Sequence, residues 1–327
     1  MNKLLKNREA LLGLLIALMI LAIGLVTPDF LLPSNLLEVY NDTSILIILA
    51  LGQMLVILTR CIDLSVAANL ALTGMVMAML NSAYPGLPVP LLVLVGAGLG
   101  LLLGAFNGLL VWKLGIPAIV VTLGTMSIYR GVIFLLSDGA WVNAHEMSES
   151  FVAIPRSELL WIPVLSWVSL AMIGALYYFT RHRRLGREIY AAGNNPTAAF
   201  YTGIDVGRTQ FIAFCISGLL AGLCGYLWVS RYAVAYVDVA NGFELQVVAA
   251  CVIGGISIMG GIGTVFGCVL GALFLGVINN ALPVIGVSPF WQLAISGSVI
   301  VIAVIANSRA ERRVGRIILK KAALQAN

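Results

Sequence analysis

The sequence predicts an all-α polytopic membrane protein with about ten transmembrane helices, and three observations support this fold class. First, 61% of the 327 residues are hydrophobic and 10% are charged, whereas soluble domains carry roughly 25% charged residues. Second, the apolar residues form long uninterrupted runs. Third, the basic residues collect between alternate pairs of runs. These observations argue against a water-soluble fold and against nucleic acid as the partner of the +5 net charge.

Ten runs are long enough to cross a bilayer, so residues 1–327 are interpreted as one transmembrane domain. The first run follows three basic residues and resembles a secretion signal, but its cleavage cue is weak and we interpret it as a retained helix. The predicted helices cover about residues 11–27, 43–59, 65–81, 89–112, 117–136, 161–180, 209–229, 244–259, 263–281 and 290–307.

The distribution of basic residues predicts the orientation of the helices. With a cytosolic N-terminus, sixteen of the nineteen Lys and Arg residues fall in cytosolic segments, and the other three are Arg130, Arg156 and Arg231. Because basic residues near helix ends resist translocation, both termini are predicted to lie in the cytosol. The acidic loops then face outward. The segment 137–160 among them is interpreted as a solvated loop, a docking surface for an external partner, or an interfacial belt with Trp141, Phe151 and Trp161.

Two glycine stripes suggest an internal repeat. Glycines follow each other at steps of four residues at 96, 100, 104 and 108 in the fourth helix, and at 263, 267 and 271 in the ninth. A turn containing glycine and proline follows each helix. Because the fourth helix runs inward and the ninth outward, helices two to five and seven to ten are predicted to form an inverted repeat, with the sixth as connector. Alternatively, the stripes only allow close helix packing.

The sequence contains no motif for covalent chemistry. No Lys precedes a Ser or Thr, so a phosphate-binding nucleotide loop is absent. The two histidines and five cysteines lack metal-ligand spacing. We therefore predict a chain that is not an enzyme and binds no metal or cofactor itself. Acidic residues within the predicted spans are few, and Asp63 is interpreted either as a helix cap or as part of a gate.

Neutral polar residues within the predicted helices are candidates for a solute path. Amides and hydroxyls replace water around a polyhydroxylated solute without holding it too tightly, although they equally serve as hydrogen bonds between helices. The glycines after the eighth helix are interpreted either as a tight hairpin or as a hinge of an inner gate. The predicted path or gate residues are Gln53, Asp63, Asn69, Asn107, Thr122, Thr125, Glu244, Gln246, Gly254, Gly255 and Ser257.

The basic cytosolic segment 181–208 contains the signals of a short helix. Asn195 is a favourable N-cap, Pro196 suits the first helical position, and Gly203 is a natural stop after Thr202. The small residues Ala198 and Ala199 give this helix the character of a compact knob. Since no other cytosolic segment is large enough to bury it, we expect a separate protein to receive it.

Four sequence motifs together resemble a known family, the permease subunits of ATP-binding cassette (ABC) importers for ribose, xylose, rhamnose, galactose-type sugars and the sugar-like autoinducer. The resemblance covers nearly the whole chain, although Arg60-Cys61 and Ala67-Ala68 replace small residues and glycines that are typical of the family. The motifs are Ile62-Asp63-Leu64-Ser65-Val66, Thr122-Leu123-Gly124-Thr125-Met126 with Tyr129-Arg130-Gly131, Gly186-Arg187-Glu188-Ile189-Tyr190-Ala191-Ala192-Gly193-Asn194 with Ala198-Ala199 and Gly203-Ile204, and Gly254-Gly255-Ile256-Ser257 with Gly260-Gly261-Ile262-Gly263.

This resemblance implies a fold similar to cobalamin-type importer permeases and a bacterial inner-membrane location. It also implies import of a monosaccharide, such as a pentose or deoxyhexose, by alternating access. The implied partners are a second permease copy or paralogue, a cytosolic ABC ATPase that holds ATP and Mg, a periplasmic sugar-binding protein and membrane lipid. An ion-coupled carrier or facilitator, and a membrane scaffold, remain the alternatives. The implied ATPase-coupling residues are Gly186, Arg187, Glu188, Gly193, Asn194, Asn195, Pro196, Ala198, Ala199 and Gly203.

Overall fold

The computed structural model describes residues 8–288 together with residues 291, 294, 297, 298 and 301. Eight helices in this part of the chain are long and apolar enough to cross a membrane, and four are shorter. In chain order they are α1 (Arg8–Val26), α2 (Pro33–Leu58), α3 (Val66–Ala83), α4 (Val89–Leu114), α5 (Ala118–Ser137), α6 (Glu149–Arg156), α7 (Val164–His182), α8 (Arg184–Asn194), α9 (Pro196–Tyr201), α10 (Val206–Tyr232), α11 (Phe243–Ile253) and α12 (Val265–Val284).

Strands are minor elements in the described chain. Two pairs of two-residue strands form antiparallel ladders, β1 (Val142–Asn143) with β4 (Val234–Ala235), and β2 (Glu158–Leu159) with β3 (Ile162–Pro163). Short 3₁₀ helices cover Pro28–Leu31 and Ala144–Glu146. Apart from these pieces the fold is helical, as the sequence predicts.

The eighth predicted helix, 244–259, is wrong at its C-terminal end. α11 stops at Ile253 because Gly255 takes φ 86°, a left-handed conformation that suits glycine, and the chain turns back. Eleven residues rise only about 16 Å at 1.5 Å per residue, which is too short to cross a bilayer. The predicted helix 290–307 lies largely outside the described residues. The sixth predicted helix begins at Val164 instead of 161, because β3 occupies the residues before it.

α2 is the central helix of the fold. It begins at Pro33, ten residues before the predicted start, because proline suits the first turn of a helix. Every residue from Thr43 to Leu58 is buried, and α2 packs against α7, α10, α11 and α12. α1 differs, since most of its surface is exposed and it packs mainly on α12. α2 therefore forms the core, while α1 lies at the periphery.

The glycine stripe of α4 faces α10. A Cβ added at Gly100 would overlap the carbonyl oxygen of Gly218, and one at Gly104 would overlap that of Phe214. In α12, a Cβ at Gly271 would overlap the carbonyl oxygen of Ala250 in α11. Both stripes therefore let helix backbones approach each other directly.

On the side that the sequence predicts to face outward, α6 is anchored by Phe151. Its side chain is fully buried and packs edge-on against Tyr226 at 5.1 Å between ring centroids. Tyr226 and Ser230 donate hydrogen bonds to the carbonyl oxygen of Phe151. Phe151 is therefore a core residue and not a member of an interfacial belt, whereas Trp141 and Trp161 are exposed.

Candidate coupling and gating site

The short helix α9 lies where its sequence signals predict it. The Asn195 side chain accepts a hydrogen bond from the Ala198 N–H at 3.0 Å, and Pro196 occupies the first turn. Gly203 ends the helix with φ 84°. α8, by contrast, was not predicted. The chain therefore forms two consecutive helices after α7, joined at a sharp elbow at Asn194 and Asn195.

α9 turns its small side inward and its aromatic side outward. Ala199 is buried, whereas Phe200 and Tyr201 are 70% and 82% exposed. The two rings contact each other edge-on, with centroids 6.0 Å apart. An exposed pair of large aromatic rings at the end of a short helix is typical of a docking surface for another protein. Phe200 and Tyr201 are not among the coupling residues that the family resemblance implies, although Ala198 and Ala199 of the same helix are.

Two of the predicted coupling glycines serve internal packing. Gly186 lies against the end of α7, where a Cβ would come within 2.7 Å of Thr180 Cα. Gly193 lies against the end of α2, where a Cβ would overlap the carbonyl oxygen of Leu58. Both residues are buried, so they join α8 to the transmembrane helices.

The charged residues of α8 make local contacts. Glu188 forms an ion pair with Arg184 at 2.7 Å, one turn away on the same helix. Arg187 is exposed and donates to the carbonyl oxygen of His182 at 3.3 Å. Tyr190 crosses to the turn before α12 and donates to the carbonyl oxygen of Gly263 at 3.0 Å. Burial raises the pKa of Tyr190, which keeps this hydroxyl a donor.

The loop between α2 and α3 lies directly beside α8. Arg60 donates from Nε to the carbonyl oxygen of Gly193 at 2.6 Å and from Nη2 to that of Asn194 at 3.0 Å. The Gly261 N–H donates to the Leu58 carbonyl oxygen at 3.0 Å, and Gln210 donates to that of Thr59 at 3.2 Å. Four segments that are distant in sequence therefore meet at the C-terminal end of α2, which the sequence predicts to face the cytosol.

Asp63 lies at the centre of a buried polar network in this loop. Its Oδ1 accepts from the Ser65 N–H at 2.9 Å and from the Ser65 hydroxyl at 2.6 Å, just before α3 begins. Asn107 donates to the Ser65 hydroxyl oxygen at 2.8 Å, and the Tyr129 hydroxyl lies 3.4 Å from Asn107 Oδ1. Burial is the main reason that the pKa of Asp63 is raised, and the Ser65 hydrogen bonds partly oppose it.

The other predicted path residues of the first half surround this network. In the amide orientation that satisfies both groups, the Gln53 side-chain nitrogen donates to the Asp63 carbonyl oxygen at 3.2 Å, and its oxygen accepts from the Asp63 N–H at 3.1 Å. Thr122 lies 3.3 Å from the Ile62 carbonyl oxygen, and Asn69 donates to that of Gly100 at 3.1 Å. Thr125 Oγ1 lies 3.4 Å from the Thr122 carbonyl oxygen. All of these side chains are buried. Gln53, Thr122 and Asn69 bond to other segments of the chain, whereas the bond of Thr125 lies within α5.

The predicted path residues of the second half lie in α11 and the turn after it. Glu244 is in the first turn of α11, and Gln246 accepts a hydrogen bond from Asn279 of α12 at 3.2 Å. The Ser257 N–H donates to the Ile262 carbonyl oxygen at 2.9 Å, which closes a hairpin turn. A cavity of about 570 Å³ opens beside this hairpin. It is lined by the α8 elbow, the α2–α3 loop and the hairpin, and the lining residues include Arg60, Asn194, Gly254, Gly255, Ser257 and Gly260.

Arg130 connects α5 to the loop between α10 and α11. An arginine this close to the end of an apolar run is expected to anchor the helix at the membrane interface, but the side chain binds the protein itself. Its Nη1 donates to the carbonyl oxygens of Val237 and Val239 at 2.6 and 2.7 Å. Trp141 stacks on Tyr236 at 4.6 Å in the same region. The loop between α10 and α11 is thereby joined to α5.

The described residues contain no cluster of three or more His, Cys, Asp or Glu side chains that could hold a metal ion.

Comparisons with known proteins show which family the chain belongs to. A family model described as branched-chain amino acid transport system / permease component matches residues 35–304. The chain is 37% identical over 309 residues to the ribose import permease protein RbsC of Escherichia coli (strain K12), covering 93% of this chain and 94% of that protein. It is 38% identical over 292 residues to the D-allose transport system permease protein AlsC of the same strain, covering 89% and 88%.

A third relative is the autoinducer 2 import system permease protein LsrC of Enterobacter sp. (strain 638), which is 37% identical over 328 residues and covered over 91% of its length. No solved structure matches the chain. The family model covers the chain from residue 35, in α2, to beyond the end of α12, and therefore includes the α2–α3 loop and the α8–α9 segment. The chain therefore belongs to this family of transport-system permease components.

Proposed function

We propose that the chain is the transmembrane permease subunit of an ABC importer that carries a monosaccharide into the cytoplasm. The relatives with full-length similarity are a ribose, a D-allose and an autoinducer 2 import permease. The family description mentions branched-chain amino acids, but these relatives match more of the chain. The permease performs no covalent chemistry, and ATP with Mg belongs to a separate ATPase chain.

The finer architecture is part of the same proposal. The protein crosses the bacterial inner membrane about ten times, with the short α11 and the chain that precedes it together making one crossing, both termini in the cytosol and a fold similar to cobalamin-type importer permeases. Two helix pairings support an inverted repeat. α4 packs on α10, and α12 packs on α2. If helices two to five and seven to ten are related units, α4 corresponds to α12 and α2 corresponds to α10, so each pairing is the counterpart of the other. The first glycine stripe lies in α4; in the second, Gly267 and Gly271 lie in α12 and Gly263 lies in the turn before it.

The observation that carries the coupling proposal is the exposed aromatic end of α9. Phe200 and Tyr201 project from a helix whose other side, at Ala199, is buried. α8 connects this knob through Gly186 to α7 and through Gly193 to α2. A movement imposed on α9 by an ATPase would therefore reach the transmembrane helices through a continuous set of packed contacts.

The translocation path is proposed to lie between two copies of the permease, or between this chain and a paralogue. A periplasmic binding protein delivers the sugar, and alternating access exposes the path first outward and then inward. The buried network around Asp63 supports a gating role on the cytosolic side, because it joins α2, α3, α4 and α5 at one point. The hairpin at Gly254 and Gly255 contributes the corresponding element from the second half.

The test is uptake into proteoliposomes that contain the permease, the ATPase and the binding protein, with radiolabelled ribose as the first sugar. We expect uptake only when all components and ATP are present. Accumulation by the permease alone, driven by a proton or sodium gradient, would contradict the proposal and favour an ion-coupled carrier. Uptake of leucine in place of sugars would support the amino-acid description of the family.

Tyr201→Asp tests the coupling surface within this assay. A charge on the exposed ring position is expected to lower sugar-stimulated ATPase activity at least tenfold, because a buried unpaired charge is unfavourable in an interface. Tyr84→Asp is the matched control, since Tyr84 is also an exposed tyrosine but lies on the outer side between α3 and α4. Arg187→Glu and Ala198→Asp probe the same face. Equal loss with the Tyr84 variant would argue against a specific ATPase contact.

A further inference from the structure

Arg60 has a backbone conformation that its residue type disfavours. Its φ is 66°, in the left-handed region where a Cβ is unfavourable and glycine is preferred. In the family that the sequence resembles, this position typically holds a small residue or glycine instead of arginine. A strained backbone persists only when surrounding contacts compensate for it. The contacts of the Arg60 side chain are expected to supply this compensation.

The Arg60 side chain caps the C-terminal end of α8. Its two hydrogen bonds go to the carbonyl oxygens of Gly193 and Asn194, which have no N–H partner within the helix. A cation at this end is favourable, because the helix dipole leaves partial negative charge there. Asn195 follows directly and is the N-cap of α9. Arg60 therefore holds the elbow from which the proposed ATPase-docking helix begins.

On the C-terminal side of Arg60, the chain leads to the buried network around Asp63, which is proposed to act as a gate. The loop continues through Cys61 and Ile62 to Asp63 and Ser65, whose hydroxyl binds Asn107 of α4. In the described part of the chain, both hydrogen bonds between the loop 59–65 and the elbow 193–195 come from Arg60. The aliphatic stem of Arg60 also lies close to Gly260, in the hairpin before α12.

We propose that Arg60 is a positioning residue that transmits movement of the α8–α9 elbow to the α2–α3 loop and its gate network. The inference rests on the proposed function, since it requires an ATPase that moves α9. Arg60 itself contacts neither sugar nor nucleotide. It converts a displacement of Gly193 and Asn194 into a displacement of the loop that carries Asp63.

The experiment uses the complete transporter in proteoliposomes and measures two quantities, sugar transported per ATP hydrolysed and basal ATPase activity. Arg60→Met keeps the stem beside Gly260 but removes all donors. We expect this variant to assemble normally, to keep its basal ATPase activity, and to transport about tenfold less sugar per ATP, the size of effect that loss of charged hydrogen bonds produces. Arg60→Lys retains one cationic donor group and should recover part of the ratio.

Lys113→Ala is the matched control, because Lys113 is a cation at the cytosolic end of α4 whose charge lies over the ring of its neighbour Trp112, 3.8 Å from the ring centroid. It should leave the ratio unchanged. A wild-type ratio in Arg60→Met would overturn the inference. Failure of both Arg60 variants to assemble would overturn it too, since Arg60 would then serve folding only. If the wild-type complex itself shows no ATP-dependent uptake, the proposed function fails, and this outcome is distinct from the other two.

Discussion

The two ends of the helix bundle are held together by different chemistry. At the end that is proposed to face the cytosol, direct backbone contacts are added to the two Arg60 hydrogen bonds: the backbone of Gly193 lies against that of Leu58, and Gly261 donates a main-chain hydrogen bond to the same carbonyl. At the outer end, arginine side chains make the cross-connections. Arg130 binds the carbonyls of Val237 and Val239, and Arg231 forms ion pairs with Glu38 and Asp42.

This difference has a mechanical meaning. Backbone contacts without side chains are short and stiff, so the cytosolic elements move together when one of them is displaced. Where long charged side chains make the connection without such backbone contacts, they break and form again at modest energetic cost, because water and other partners replace them. The cytosolic end is thus suited to transmit a displacement, and the outer end to open and close.

The largest expected effect is at the cytosolic backbone contact. Gly193→Val should destabilise the protein by about 3 kcal/mol or prevent its assembly, because the new side chain overlaps the Leu58 carbonyl and the glycine hairpin cannot move away. The measurement is the monodisperse fraction after detergent extraction together with the thermal midpoint. Gly174→Ala is the control, since a Cβ there meets nothing within 4 Å in helix α7. Similar loss in both variants would mean that the cytosolic contact is not special.

An intermediate effect is expected at the outer arginine contact. Arg130→Met should weaken the attachment of the loop between α10 and α11 by about 2 kcal/mol, because two hydrogen bonds from a charged donor are lost. Faster proteolysis of residues 233–242 in right-side-out vesicles would report this, while the thermal midpoint of the bundle changes little. Arg130→Lys should be intermediate. An unchanged cleavage rate would remove the distinction between the two ends.

The smallest effect concerns the charge of Asp63. Because burial raises its pKa, the folded protein binds more protons than the unfolded chain between the ordinary value of 3.8 and the raised pKa. Stability that depends on this group is therefore lost as pH rises through that window. Asp63→Asn keeps an oxygen that accepts from Ser65 and removes the charge, so its thermal midpoint should vary less with pH. The measurement is the thermal midpoint between pH 4.5 and 8 for both proteins, and parallel profiles would contradict the prediction.

Local signals explain what the sequence could predict. Long apolar runs identify the membrane helices, and the series Asn195, Pro196 and Gly203 identifies α9, because caps and stops act within one turn. The premature end of α11 shows the limit of hydropathy. Gly254 and Gly255 fit an apolar helix by composition, but Gly255 adopts a left-handed backbone and ends it.

The remaining features depend on contacts between residues that are far apart in sequence. Arg60 caps a helix that ends more than 130 residues later, and Phe151 is buried by α10. In both cases the residue type alone favours exposure or an interfacial position. The buried network of Gln53, Asp63 and Asn107 was predicted as a set of polar candidates, but its internal pairing becomes apparent only when α2, α3 and α4 are packed.

The enclosure of α2 from Thr43 to Leu58 limits which rearrangements this bundle can make. A helix segment with neighbours on every side cannot slide or rotate alone without opening voids in the surrounding layers. A switch between two shapes therefore has to move α2 together with the helices packed on it, which are α7, α10, α11 and α12. Independent movement is left to the peripheral helices, above all α1, which is largely exposed and packs mainly on α12.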